Sequence, residues 1–382
     1  MQDKPSFLWI VADNFSEFNS SYFTCVIPHN ALWQAGYRSK IVHMKNWLEN
    51  NALFRSSVAS ADVVIIQRVL IKQTENMLLF LREQGKTVLV SFDDAYHLIG
   101  EENAAYSFWG KGLVDVNHGH MTEKSKMDVH PVEQFRSLLP KISSGICPSR
   151  VLAKDWAPYG AMTYLPNYLE SHRYLTKGRR RISNKRVVGW GGSLSHLTSF
   201  SGSGAQEGLR EFIAENSDDA VFELVGDKRL IEQLKITSEN LKFRPYVMFF
   251  DWPRVLSSFD IGLAPLAQPY DQRRSRLKVM EYIAMGIPFV ATKSAVYEDF
   301  FDCKSGIFVS QGHQEICGEK NESGWLKALT EISENYDEYK RQATNERSRY
   351  FSVYDSRENL GTILETLTLD NVHQIRRSLY GN

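Results

Sequence analysis

Residues 267–292 read AQPYDQRRSRLKVMEYIAMGIPFVAT. A basic loop holding Arg273, Arg274 and Arg276 runs into a helical pattern at 275–285. Lys278 and Glu281 stand three apart on one face of that helix. Gly286 suits the helix end, and Pro288 opens a strand within IPFVAT, 287–292. The preceding DIGLAPL, 260–266, reads as a strand as well. Strand, helix and strand in this order make one βαβ unit of a parallel sheet. Cations at a helix start add to the positive end of the helix dipole, so together they suit a diphosphate. A lysine for phosphate with a carboxylate for ribose hydroxyls makes a workable nucleotide pair. On spacing alone, a basic helix start with a surface Lys278–Glu281 pair is the plainer reading.

The same alternation continues outward. Upstream, RVVGWGG (186–192), AVFELVGD (220–227) and LKFRPYV (241–247) read as strands; downstream, GIFVS (306–310) does. Helices fit at 205–216, 253–258 and 322–348. Near the N-terminus, FLWIVA (7–12), SKIVH (39–43), ADVVIIQR (61–68), KTVLVSFDD (86–94), SSGICPS (143–149) and MTYLPN (162–167) form a second series, with helices at 22–35 and 74–84. Between the two series, SHRYLTKGRRRISNKR (171–186) is polar, basic and poor in apolar residues. The expected organisation is therefore α/β throughout. A Rossmann-like domain covers 1–170, a linker 171–186 and a second Rossmann-like domain 187–350. A helical tail at 351–382 remains, with a place against the first domain open to it.

Length and composition agree with this division. At roughly 100–200 residues per domain, 382 residues make two domains. Lys+Arg and Asp+Glu both total 45, so there is no basic excess to indicate a nucleic-acid partner. Any such surface would be local, as in the basic cluster at 177–186. Cys25, Cys147, Cys303 and Cys317 lie far apart with no CxxC pair, which fits a reducing compartment and speaks against a zinc knuckle. The apolar run near the N-terminus is too short for a signal-peptide core, and no stretch approaches the ~20 apolar residues of a membrane span. A cytoplasmic protein is expected.

A second chemistry-bearing stretch is VVGWGGSLSH, 187–196. Gly191, Gly192 and Ser193 follow a strand, where glycine lets the backbone approach a diphosphate. A tight turn that needs glycine explains the same residues. The spacing is not GxGxxG, so an NAD-dependent dehydrogenase is set aside.

The segment DIGLAPL…SRLKVMEYIAMGIPFVAT resembles the nucleotide-binding core of group 1 glycosyltransferases, the retaining GT-B class. The E-x-x-A-x-G-x-P pattern of that family stands here as Glu281, Ala284, Gly286 and Pro288. FELVGD (222–227) is similar to the second strand of that domain. Pro148–Ser149 and Pro166–Asn167 are similar to landmarks that close the N-terminal domain. The resemblance covers roughly 140–310, and 1–140 by pattern alone. It implies two facing Rossmann-like domains and transfer of a hexose from a nucleotide-diphosphate sugar, with retention and without a metal or other cofactor. By resemblance Glu281 binds the donor ribose and Lys278 the phosphates. Arg274 and Arg276 supply further charge, and Gly191, Gly192, Ser193 and Tyr246 complete the donor site. Two positions depart from the family: Arg273 stands where a glutamate is usual, and GGSLSHLTSF lacks the common Arg and Lys.

The N-terminal domain would take the acceptor, a saccharide or other hydroxyl compound. Asp93 and Asp94 end a strand, where they can orient sugar hydroxyls or cap the following turn. Asp13 and Asn14 follow the first strand; Ser20 and Ser21 beside them can bond a ligand or cap a helix. In NHGH (117–120), within a polar stretch poor in clear elements, His118 or His120 is a candidate to face the donor sugar; solvated loop histidines are the plainer reading. Tyr106, Phe108 and Trp109 suit stacking on sugar rings or a core equally. Two other readings stay open: a DNA-modifying glycosyltransferase acting on a modified base, and a non-catalytic nucleotide-sugar-binding protein.

Overall fold

A computed structural model describes residues 4–13, 20–103, 105–118, 121–175, 184–192, 196–236, 238–267, 269–310 and 324–369. Its strands are short runs of β-branched and aromatic residues, most of them buried on both faces. That is the composition parallel sheets require when helices cover both sides. The chain divides into two units. One comprises Met1–Glu170, Arg273–Ser275 and Asp355–Asn382; the other comprises Ser171–Gln272 and Arg276–Tyr354.

In the first unit, strands β1 (Phe7–Val11), β2 (Ser39–His43), β3 (Val63–Gln67), β4 (Thr87–Ser91), β7 (Ser144–Cys147) and β8 (Met162–Tyr164) form a parallel sheet in the order β2-β1-β3-β4-β7-β8. Every residue of β1 and β3 is buried. Between β4 and β7 lies an antiparallel hairpin of β5 (Leu113–His118) and β6 (Met121–Lys126). The region 101–130, expected to hold no clear element, is thus partly a hairpin. Its cross-strand hydrogen bonds let a polar sequence such as MTEKSK pair without an apolar face. Trp109 is spent in the core: it stacks on Tyr96 at 3.7 Å between centroids and meets Phe135 edge-on. The helix expected at 22–35 begins as one π-turn, Tyr22–Val26, and continues as Ile27–Gln34. The C-terminal helix Leu360–Thr368 packs against Ile27–Gln34.

In the second unit, β9 (Arg186–Gly192), β10 (Ala220–Gly226), β11 (Leu241–Pro245), β12 (Ile261–Ala264), β13 (Phe289–Thr292) and β14 (Gly306–Val309) form a parallel sheet in the order β11-β10-β9-β12-β13-β14. Val188, Trp190, Phe222, Leu224, Ile261, Leu263 and Val290 meet Leu209, Phe212, Trp325 and Leu329 in one core. The helix Leu277–Met285 is buried from Val279 to Met285 and ends at Gly286, whose φ of 63° is the left-handed value that favours glycine. Lys340, on the helix Tyr336–Val353, donates to the Gly286 carbonyl at 2.6 Å and satisfies a group the helix end leaves open. Ser171–Tyr174, expected in a linker, is a short 3-10 helix of this unit; Ser171 Oγ donates to the Phe351 carbonyl at 2.7 Å.

Candidate functional site

Open parallel sheets bind ligands at the carboxyl ends of their strands, where the strand order reverses. In the second unit that point lies between β9 and β12. The stretch Gly191–Gly192 ends β9, and the helix Leu277–Met285 follows β12. The structure brings the two together: Lys278 Nζ donates to the Gly191 carbonyl at 2.6 Å and lies 5.2 Å from the Trp190 ring centroid. One turn on, Glu281 is 5% exposed. Its Oε1 accepts from Tyr174 Oη at 2.8 Å and from Trp252 Nε1 at 3.0 Å. Burial pushes the Glu281 carboxyl up to about 7; the two donors and the charge of Lys278 hold it from rising further.

The geometry corrects part of the sequence reading. The glycines have a packing reason. A Cβ on Gly191 would stand 2.3 Å from the Trp252 ring, and one on Gly192 would stand 2.6 Å from the Trp190 ring. Arg276, expected on the diphosphate, is buried and ion-paired with Asp299, with its guanidinium 5.0 Å from the Tyr354 centroid. A buried guanidinium needs a carboxylate, and Asp299 supplies it. Glu281 is not one half of a surface pair with Lys278, since its Oε1 is taken by Tyr174 and Trp252. Arg274 stands with Arg273 and Ser275 in the first unit, and Tyr246 is 51% exposed after β11. Ser193 lies outside the described residues.

In the first unit the corresponding point lies between β1 and β3. Asp13 follows β1, Arg68 follows β3 and Asp93 follows β4. Arg68 Nη2 donates to Asp13 Oδ2 at 3.2 Å and to Ser20 Oγ at 2.7 Å, and it stands 3.6 Å from Asp93 Oδ1. Gln67 Nε2 donates to the same Asp13 oxygen at 2.6 Å, while Gln67 Oε1 accepts from the backbone N–H of Ala12 and Asp13. Arg68 has φ 47°, a value side chains other than glycine adopt rarely. Burial, then the neighbouring Asp94, pushes Asp93 up to about 6, with Arg68 opposing. Ser20 thus meets Arg68, and Ser21 makes no side-chain cap at the helix start. His118 ends the first strand of the hairpin, opposite Met121. Its side chain, Asn14 and His120 lie outside the described residues.

The position that departs from the family has a partner of its own. Arg273 Nε donates to Asp155 Oδ2 at 2.7 Å, and His97 Nε2 lies 3.3 Å from the same oxygen. Sequence reasoning missed Arg68 and Gln67, although the polar end of ADVVIIQR marks the carboxyl edge of a strand. It also missed Tyr174 and Trp252, for which the sequence carries no local signal.

Two parallel-sheet units, each with polar groups gathered at the carboxyl edge, define a GT-B glycosyltransferase architecture. Residues 204–325 match the family model described as "Glycosyl transferases group 1". No curated protein sequence gives a significant match. Among solved structures, Anabaena HepE in complex with UDP and glucose superposes with a TM-score of 0.61 at 14% identity, over 96% of this chain and 100% of that one. Sucrose-phosphate synthase from Thermosynechococcus elongatus gives 0.62 at 10%, over 96% and 100%. An alpha-glucosyltransferase in complex with UDP and a 13-mer DNA containing a HMU base gives 0.57 at 10%, over 97% and 100%. Residues 204–325 thus resemble the group 1 glycosyltransferases, and the chain as a whole shares the fold of these GT-B structures. Among the described residues, no helix is long and apolar enough to cross a membrane.

Proposed function

We propose that this enzyme moves a hexose from a nucleoside-diphosphate sugar to a hydroxyl of a saccharide, with retention and without a metal or other cofactor. The donor binds the second unit. The observation that carries this reading is the Lys278–Gly191 bond at the carboxyl edge of that sheet, with Glu281 one turn further along the helix. Lys278 and the N–H groups that open the helix Leu277–Met285 stabilise the departing diphosphate. Fixed donors aimed at developing charge lower the barrier without reorganising during the reaction. The acceptor belongs to the first unit, where Asp13, Asp93 and Asp94 offer carboxylate oxygens to sugar hydroxyls. Three carboxylates beside Arg68 form a poor surface for a phosphate backbone, which favours a saccharide over DNA.

A thermal-shift screen against UDP, GDP, dTDP, ADP and CMP tests the donor site. A ligand at a hundred times its dissociation constant adds about 2.7 kcal/mol. One nucleotide should raise the melting temperature, and Glu281→Ala should abolish that rise. Stabilisation by none of them would remove the donor assignment.

A further inference from the structure

Glu281 is a buried carboxylate of the donor edge, and two neighbours from distant parts of the sequence grip a single one of its oxygens. A carboxylate's terminal torsion is broad and two-fold, so an ungripped glutamate would present either oxygen over a wide arc. Tyr174 Oη and Trp252 Nε1 both donate to Oε1, and neither takes Oε2. Both neighbours are themselves fixed. Arg347 Nη2 donates to the Tyr174 carbonyl at 2.9 Å. Arg347 lies on the helix Tyr336–Val353, which Lys340 ties to the end of the Glu281 helix. Trp252 fills the space beside Gly191 that any Cβ would occupy.

We propose that Tyr174 and Trp252 are positioning residues that hold Oε1 of Glu281, so that Oε2 is presented to the 2′- and 3′-hydroxyls of the bound nucleotide, and that position 191 is glycine to admit Trp252. This rests on the donor assignment made above. A vicinal diol needs an acceptor at a fixed place and angle, and hydrogen bonds to a charged oxygen are the shorter and stronger kind. The grip also opposes the cost of burying the charge, since each donor favours the ionised form.

Titration calorimetry with UDP, ADP and GDP, each beside its 2′,3′-dideoxy counterpart, tests the inference. Wild type should bind one ribonucleotide about tenfold or more tighter than its dideoxy form, the equivalent of one good hydrogen bond. Tyr174→Phe and Trp252→Phe should each weaken the ribonucleotide several-fold, leave the dideoxy form within about twofold, and so collapse the ratio. Removing a donor that favours the carboxylate should also move the ribose-dependent part of the affinity to higher pH. Equal losses for both forms in folded variants would make Tyr174 and Trp252 merely structural and overturn the inference. Equal binding of the two forms by wild type would overturn it too, while leaving the donor assignment standing. No binding of any nucleotide by wild type would remove the donor assignment itself. Melting curves on each variant confirm folding, and Glu281→Gln, which keeps an oxygen for both donors, should lose ribose discrimination on an otherwise intact frame.

Discussion

The two sheets have related topologies and very different carboxyl edges. At the first, Asp13, Arg68, Asp93 and Asp94 gather with Gln67 and Ser20. At the second, aromatic rings wall the edge: Trp190 lies under Lys278, and Trp252 and Tyr174 enclose Glu281. The first edge offers many oxygens, as a polyhydroxy compound demands. The second offers the Lys278 cation, opening helix N–H groups and the gripped carboxylate of Glu281, as the proposed nucleoside diphosphate demands. One scaffold can serve two chemistries because strand ends and loops, not the sheet, carry the ligand groups.

The largest expected effect is on the second edge. Lys278→Ala should lower kcat by about 10²–10³, the usual range for removing one preorganised charge-stabilising group. Steady-state kinetics with the donor identified by the screen would show it, and turnover like wild type would remove Lys278 from the mechanism. Gly191→Ala should come next. Its methyl collides with Trp252, and overpacking of this kind costs about 1–3 kcal/mol. Denaturant melts measure it, and an unchanged midpoint would mean that Trp252 yields without cost.

A third expectation contrasts pH responses. The folded Glu281 carboxyl lies at about 7, raised by burial above the ordinary glutamate value of 4.5. The native protein therefore binds more protons than the unfolded chain between those values, so this group's contribution is full below 4.5 and is lost as pH rises through 7. Glu281→Gln should accordingly gain stability relative to wild type as pH rises from 5 to 8. Asp93 has the same sign between 3.8 and about 6. A melting-temperature difference between Glu281→Gln and wild type that stays flat over this range would contradict the buried, gripped carboxylate. The smallest effect belongs to the first edge: Asp93→Asn should raise the acceptor KM several-fold and leave nucleotide affinity unchanged. A change in nucleotide affinity instead would break the division of labour between the two edges.

Most of the scaffold could be read locally. Among the described residues, all twelve parallel strands fall within the runs identified in the sequence, and the helix Leu277–Met285 ends at Gly286 as its pattern required. The short helices Met44–Leu48, Ala52–Ala59 and Leu197–Ser203 were not read, because their composition carries little periodicity and tertiary packing decides them. The hairpin β5–β6 escaped for a similar reason: its two strands gain by pairing with each other, a contact that no window on either strand reveals.

The sequence by itself determined the two α/β series and the glycine-ended helix, and it set Lys278 and Glu281 three apart on that helix as candidates for the proposed donor edge. Hydrophobic period, helix stops and turn residues act over a few positions, so they survive in a linear reading. Only the tertiary structure decided what those residues touch. It carried Tyr174 out of an apparent linker to a carboxylate 107 positions away, set Arg276 on Asp299 and joined Arg273 to Asp155. Such bonds are made where chain topology brings distant groups together and burial demands that each polar atom find a partner, and neither condition is written at any one position of the chain.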